Sequence, residues 1–375
     1  VMTEDENFAA RTCGTPVPTA EEAATVQAQV DRWLRMNPQT QAVGGVIKVA
    51  FHVIKSTSGE GNLTPAQVQS QIDVLNVTYQ GTGYSFVLAS TDWTTNRKWF
   101  GMTPQTGVET QCKNALAISP ATRLNIYTCK PGQSLLGWAY FPNSFPETDK
   151  RHGIVVHYGS LPGGYLSAYN EGETATHEVG HYLGLYHTFQ GGCTSPGDYV
   201  DDTPYEASSY TGNQCSLQRD TCPSLPGFDP ITNYMDYSYD VCLTNFTAGQ
   251  DVRMDSIVPV YRPSLLGAAA LAPEIQAGNG TIAPARSDAG VVTFAGAMPN
   301  PSSGAANLVF ALPSSAKVSL ALYSVAGRQV ASLVNETRDA GSHSVSLSRR
   351  GLVAGTYFAV LSVDGRKISR PVILQ

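Results

Sequence analysis

Charge is what this chain has least of. Asp, Glu, Lys and Arg make up 14% of its 375 residues, against about a quarter in ordinary soluble domains. Gly, Ser, Thr, Asn and Tyr fill the polar surface instead, as in many exported proteins. The net charge is −6 and no basic cluster relieves it, which argues against a nucleic-acid partner. No apolar run approaches the roughly 18 residues of a membrane span. No signal peptide is visible and Val1 is not a natural start, so the expectation is an export signal already removed. None of the seven cysteines stands in a C-x-x-C pair, and zinc-ribbon and thioredoxin readings fall away. Six of them fit three bridges in an oxidising compartment, with one left over.

What the chain does have is His177-Glu178-Val179-Gly180-His181-Tyr182-Leu183-Gly184-Leu185-Tyr186-His187. This is H-E-x-x-H-x-x-G-x-x-H, the zinc-protease signature in its longer, metzincin spacing. On a helix, His177 and His181 project from one face toward a shared point. Glu178 lies beside the first ligand, where it reaches a water without binding the metal. Gly184 takes a positive φ at no steric cost, so the helix ends there and His187 returns as a third ligand. Three protein ligands leave a fourth position open, as a catalytic zinc requires.

Downstream, Asn233-Tyr234-Met235-Asp236-Tyr237 has the form of a Met-turn, with Met235 as a polarisable floor beneath the imidazoles. Thr174 to Phe189, with Thr188 after the third histidine, resembles the pappalysin family of metzincins. The similarity runs from about Val46 to Leu265 and includes Leu136–Pro142, Asp198–Pro204 and the Phe246–Gln250 and Tyr261–Leu265 segments. The resemblance implies a secreted zinc endopeptidase, with Glu178 as general base and Tyr237 reaching the zinc or the tetrahedral intermediate. It also implies bridges Cys193–Cys222 and Cys215–Cys242; Cys112–Cys129 follows as a third pair by elimination. The Asp198–Thr203 loop matches one that holds calcium in some members, so Asp198 and Thr203 are candidate Ca2+ ligands beside the Zn2+ site. Family members that cut before Lys or Arg hold the cation with acids near the Met-turn; Asp240 is the candidate here, for a weakened preference. A substrate peptide is expected to add as a strand along Leu136–Phe141. No partner for the second nitrogen of any ligand histidine can be named from sequence, though Asp and Ser side chains near His187 are candidates.

The fold class expected is an α/β (α+β) metzincin-like catalytic domain with a separate all-β sandwich at the C-terminus. Residues 1–44 read as a latency pro-segment whose polar, Ala-rich helix Glu21–Met36 has too little apolar content for a core of its own. Residues 45–265 form the peptidase domain. It opens with a strand, Val46–Ile54, and a helix begun by Thr64-Pro65. Strands near Tyr84–Leu88, Leu124–Tyr127, Gly137–Phe141 and Gly153–Tyr158 follow, and a closing helix is capped by Thr247 and Gln250. Residues 266–290 are a linker. Residues 291–375 alternate in short runs, including a hairpin at Asp364-Gly365. With Pro299-Asn300-Pro301 and Gly355–Tyr357 they resemble type IX secretion sorting domains and flagellar-hook-type immunoglobulin-like modules. That resemblance implies bacterial-type export and a secretion-machinery or cell-surface partner. His52 and His157 read as core groups, His152 and His343 as surface residues.

Cys13, in Arg11-Thr12-Cys13-Gly14-Thr15-Pro16, resembles the pro-segment motif of the same family. It implies a zymogen in which Cys13 takes the fourth zinc position. A second reading is a non-catalytic zinc-containing adhesion protein displayed through its C-terminal module; retention of Glu178 argues against it.

Overall fold

The computed structural model describes residues 11–36, 44–266, 293–298, 306–312, 314–324, 329–347, 352–353, 355–363 and 366–374. The expected linker beyond residue 266, Pro299-Asn300-Pro301 and the Asp364-Gly365 turn lie outside them. The chain divides into two units, Val1–Glu274 and Ile275–Gln375.

In the first unit, helix α1 (Ala20–Met36) precedes strand β1 (Gly45–Lys55). Ile47, Val49, Phe51 and Val53 of β1 are fully buried, and from Val49 to Ile54 its other face is buried as well. A strand covered on both faces suits a parallel sheet. Helix α2 (Pro65–Thr78) starts at a capping box between Thr64 and Gln67 and sends Val68, Ile72 and Leu75 into the core. Strand β2 (Tyr84–Thr95) runs longer than the apolar pattern indicates, because its second half is only partly covered. Two short helices, α3 (Arg97–Phe100) and α4 (Gly107–Leu116), carry no long amphipathic stripe and escape a periodicity reading.

Strands β3 (Arg123–Cys129), β4 (Gly137–Ala139) and β5 (Ile154–His157) complete a five-stranded sheet of order β2-β1-β3-β5-β4. All pairings are parallel except the β4–β5 edge, which is antiparallel. Helix α5 (Glu173–Tyr182) packs against this sheet, every residue of it buried. A long irregular segment follows, held by the bridges Cys193–Cys222 and Cys215–Cys242. Helix α6 (Ala248–Tyr261) closes the unit on a second capping box, between Thr247 and Gln250.

The expected Cys112–Cys129 bridge is corrected: both are buried free thiols. Cys112 lies on α4 and Cys129 at the end of β3, packed with Tyr127, Trp138 and Val155. A small apolar side chain suits that cluster without a cross-link. His152 is likewise buried rather than on the surface, its Nε2 3.1 Å from the Phe145 carbonyl.

The second unit holds strands β6 (Thr293–Met298), β7 (Ala306–Leu312), β8 (Ala316–Ser324), β9 (Gln329–Arg338), β10 (Gly341–Leu347), β11 (Gly355–Val363) and β12 (Arg366–Leu374). They form sheets of order β10-β7-β6 and β12-β11-β8-β9, antiparallel throughout. Leu308, Phe310, Val318, Leu320, Leu361 and Val372 are among the residues of a single shared core. This is a β-sandwich.

Candidate metal centre

Helix α5 begins without a side-chain cap, at Gly172, and ends in a Schellman turn. Leu185 N–H reaches the Gly180 carbonyl at 2.9 Å and Gly184 N–H the His181 carbonyl at 3.0 Å. Gly184 has φ +106°, and a Cβ there would stand 2.7 Å from Ile257. Only glycine meets both conditions, and the reversal swings His187 back over the helix. His181 Nε2 lies 3.2 Å from His177 Nε2 and 3.0 Å from His187 Nε2.

The outer nitrogens explain why the rings point inward. His177 Nδ1 is 2.7 Å from the Tyr234 carbonyl and His181 Nδ1 is 2.7 Å from that of Leu185. A carbonyl only accepts, so each Nδ1 carries the proton and each Nε2 presents a lone pair. The partners of these two rings are backbone carbonyls rather than side chains. Burial lowers all three imidazole pKa values, that of His181 to about 4, and so holds the rings neutral. Three neutral nitrogens crowded this closely repel one another unless a cation sits among them. The donor set therefore fits zinc.

Met235 is fully buried in the core with Val179, Leu183 and Leu185. Its N–H donates to Asn233 Oδ1 at 2.9 Å, and Asn233 makes two hydrogen bonds with Gln250, at 2.8 and 3.0 Å. Gln250 thus caps α6 and anchors the Met-turn at once. Tyr237 places its hydroxyl 3.2 Å from His187 Nε2. Burial first, then Cys13 and Glu178, raise its phenol pKa, so it remains a donor.

Glu178 is buried and its Oε2 accepts from Thr15 Oγ1 at 3.1 Å. Cys13 Sγ approaches the same oxygen at 3.5 Å. Cys13, His177, His181 and His187 offer ligand atoms that all lie within 4.8 Å of one another. Burial, and then the facing Glu178, push the Cys13 thiol well up. A thiolate at this point needs the compensating charge of a cation.

Cys13 arrives as part of an added strand. Leu136 N–H donates to the Thr12 carbonyl at 2.9 Å and Gly14 N–H to the Gly137 carbonyl at 2.8 Å, a parallel bridge onto β4. Gly14 packs closely here, since a Cβ would lie 3.0 Å from Leu135 and 3.1 Å from Pro104. Arg11 is buried and ion-pairs with Asp240, its guanidinium 5.1 Å above the Tyr169 ring. Helix α1 then lays Val26 and Val30 against Ile257 of α6.

The Asp198 loop forms a cavity of about 70 Å³ lined by residues including Thr188, Gly197, Asp198 and Thr203. Asp198 and Thr203 face each other there, and among the described residues Asp198 Oδ2 and Thr203 Oγ1 find no further partner. Asp202 is turned away and accepts from Gly249 N–H at 2.8 Å, at the start of α6.

A neutral three-histidine set on an H-E-x-x-H helix over a buried Met-turn defines a metzincin-type metallopeptidase centre. The peptidase M43 family profile, described as pregnancy-associated plasma protein-A, matches residues 124–259. A secretion system C-terminal sorting domain matches residues 297–375. An extracellular metalloprotease of Colletotrichum graminicola is 44% identical over 272 residues, covering 68% of this chain and 93% of the relative. One from Sordaria macrospora is 42% identical over 264 residues, covering 67% and 88%. Among solved structures, a Tannerella forsythia promirolysin variant superposes with a TM-score of 0.59 at 28% identity, covering 67% of this chain and 95% of that one. Mature mirolysin in complex with a cleaved peptide gives 0.52 at 30%, covering 57% and 92%. The chain belongs to the pappalysin (M43) family of metzincin metalloendopeptidases and carries a C-terminal sorting domain of the secretion type. It is a secreted or cell-surface enzyme acting on peptide bonds.

Proposed function

We propose that this chain is the latent form of a secreted zinc endopeptidase in which Glu178 is the general base and Cys13 the switch. Zinc held by His177, His181 and His187 supplies Lewis acidity toward a water and toward the scissile carbonyl. Glu178 accepts the water's proton and returns it to the leaving amine. Burial raises its carboxyl above the range of an exposed glutamate, which strengthens it as a base. Tyr237 donates toward the oxyanion from beside His187. The observation that carries the reading is the convergence of Cys13 and Thr15 on the catalytic carboxylate and the three imidazoles. In this arrangement the nucleophilic water has no place. Residues 1–44 are then the segment lost on activation, 45–265 the peptidase and 291–375 the part addressed to the secretion machinery.

Asp240 favours Lys or Arg after the cut: Arg11 already seats a guanidinium on it, beside Tyr169. The juxtaposed oxygens of Asp198 and Thr203 in the small cavity suit calcium, a cation that takes carboxylate and hydroxyl oxygen together. Glu178→Gln tests the base. Casein turnover should fall by about 10³-fold or more, a loss on the scale of an essential catalytic group, with zinc content near one per chain. Turnover equal to the parent's rejects the assignment.

A further inference from the structure

We propose that Glu173 is a second acid of the pocket for the residue after the cut, paired with Asp240, and that it sets how strongly this pocket prefers a cationic side chain. The inference deepens the assignment of Asp240 to specificity and rests on it.

Arg11 shows the pocket with a guanidinium inside. It ion-pairs with Asp240, donates from Nη1 to Thr174 Oγ1 at 3.3 Å and lies over Tyr169. The other Asp240 oxygen accepts from Glu171 N–H at 2.9 Å. Glu173, next to Thr174 and first residue of α5, is 9% exposed. Its carboxyl is hydrogen-bonded to that of Asp240, and among the described residues nothing else pairs with its Oε2. Glu173 faces Asp240 after the Met-turn, Glu171 in the loop before α5 and Tyr234 within the Met-turn. Arg11 comes from the N-terminal segment, and Tyr169 also borders the guanidinium. Glu173 thus backs the carboxylate that holds the guanidinium.

Like charges confined together share a proton. Burial first, then Asp240, raise Glu173 to about 8. At neutral pH Glu173 is still largely protonated. As pH rises through 8, Glu173 ionises, the pocket gains a second negative charge, and an arginine side chain gains over an apolar one. Glu173 stands four residues before His177 and acts on the substrate side chain, away from the bond being cut.

The test uses the full chain brought to constant activity and two peptides alike except for Arg or Leu after the cut, assayed from pH 6 to 9.5. Changes in Glu178 or in zinc alter both rates alike and cancel in their ratio. The Arg/Leu ratio of kcat/KM should climb about tenfold with a midpoint near pH 8, one unit charge at partly buried range. Glu173→Gln should hold the ratio flat while still favouring Arg, and Asp240→Asn should bring it close to one. A flat ratio in the parent, which needs no variant to fold, overturns the proposal; so does a parent-like climb in Glu173→Gln. If Asp240→Asn still favours Arg, it is the specificity role of Asp240 that falls instead.

Discussion

At Cys13 a thiol, a carboxylate and three imidazoles compete for one small volume. Removing the thiol should release that competition. Cys13→Ala, purified as the full chain, should process itself faster and show at least tenfold higher casein turnover than the parent, roughly the effect of losing one strong metal ligand. Equal latency, or a disulfide at Cys13, rejects the switch. The histidines of the site were legible in sequence because helical spacing alone fixes their shared face. Their Nδ1 acceptors, the carbonyls of Tyr234 and Leu185, were not, since every residue carries a carbonyl. Glu173 escaped for another reason: it stands 67 positions before Asp240, and only the fold brings them together. Cysteine parity misled at Cys112 and Cys129, because counting assumes that every even thiol finds a partner.

The helices and loops that position the site differ in how far they announce themselves. The capping boxes at Thr64 and Thr247 and the turn at Gly184 follow local rules and stand where the residues indicate. Helix α3 has only four residues, and α4 turns Glu109, Cys112 and Lys113 inward, a face that hydrophobic patterning does not reveal. The Asp198 loop has no regular structure, and a single cation would bridge the oxygens of Asp198 and Thr203 that face each other in it. Burial raises Asp198 to about 7, from about 3.9 in an unfolded chain. Without calcium the folded state therefore binds the extra proton between about pH 4 and 7, and stability falls as pH rises through that window. Calcium requires the ionised form. Added at about 100 times its dissociation constant at pH 8, it should raise Tm by roughly 5 °C or more. The gain should shrink below pH 7 and vanish in Asp198→Asn. A pH-independent shift would place the ion elsewhere.

The whole molecule is two units, each with its own hydrophobic core. Deleting residues 291–375 should leave casein turnover per folded molecule within about twofold, since the peptidase unit has its own hydrophobic core. Export, followed as protease in the medium of a host with the matching machinery, should be lost. Normal export of the truncated chain would separate the tail from sorting. The break between units was legible from composition, because an Ala/Gly/Pro-rich stretch cannot build a core. The seat of α1 on α6 was not, because Val26 and Val30 are too few to reveal a docking face. The strand formed by Thr12–Gly14 pairs with the β4 backbone, the edge expected to receive an incoming peptide. Being covalently attached, that strand acts at an effective concentration in the millimolar range or above. Dissolved substrate at micromolar levels cannot outcompete it, however well it fits. A single cut in the tether changes the arithmetic, because the released segment dilutes into the surrounding medium. For an exported enzyme that medium is effectively unlimited, so under the proposed latency activation would be irreversible by dilution alone.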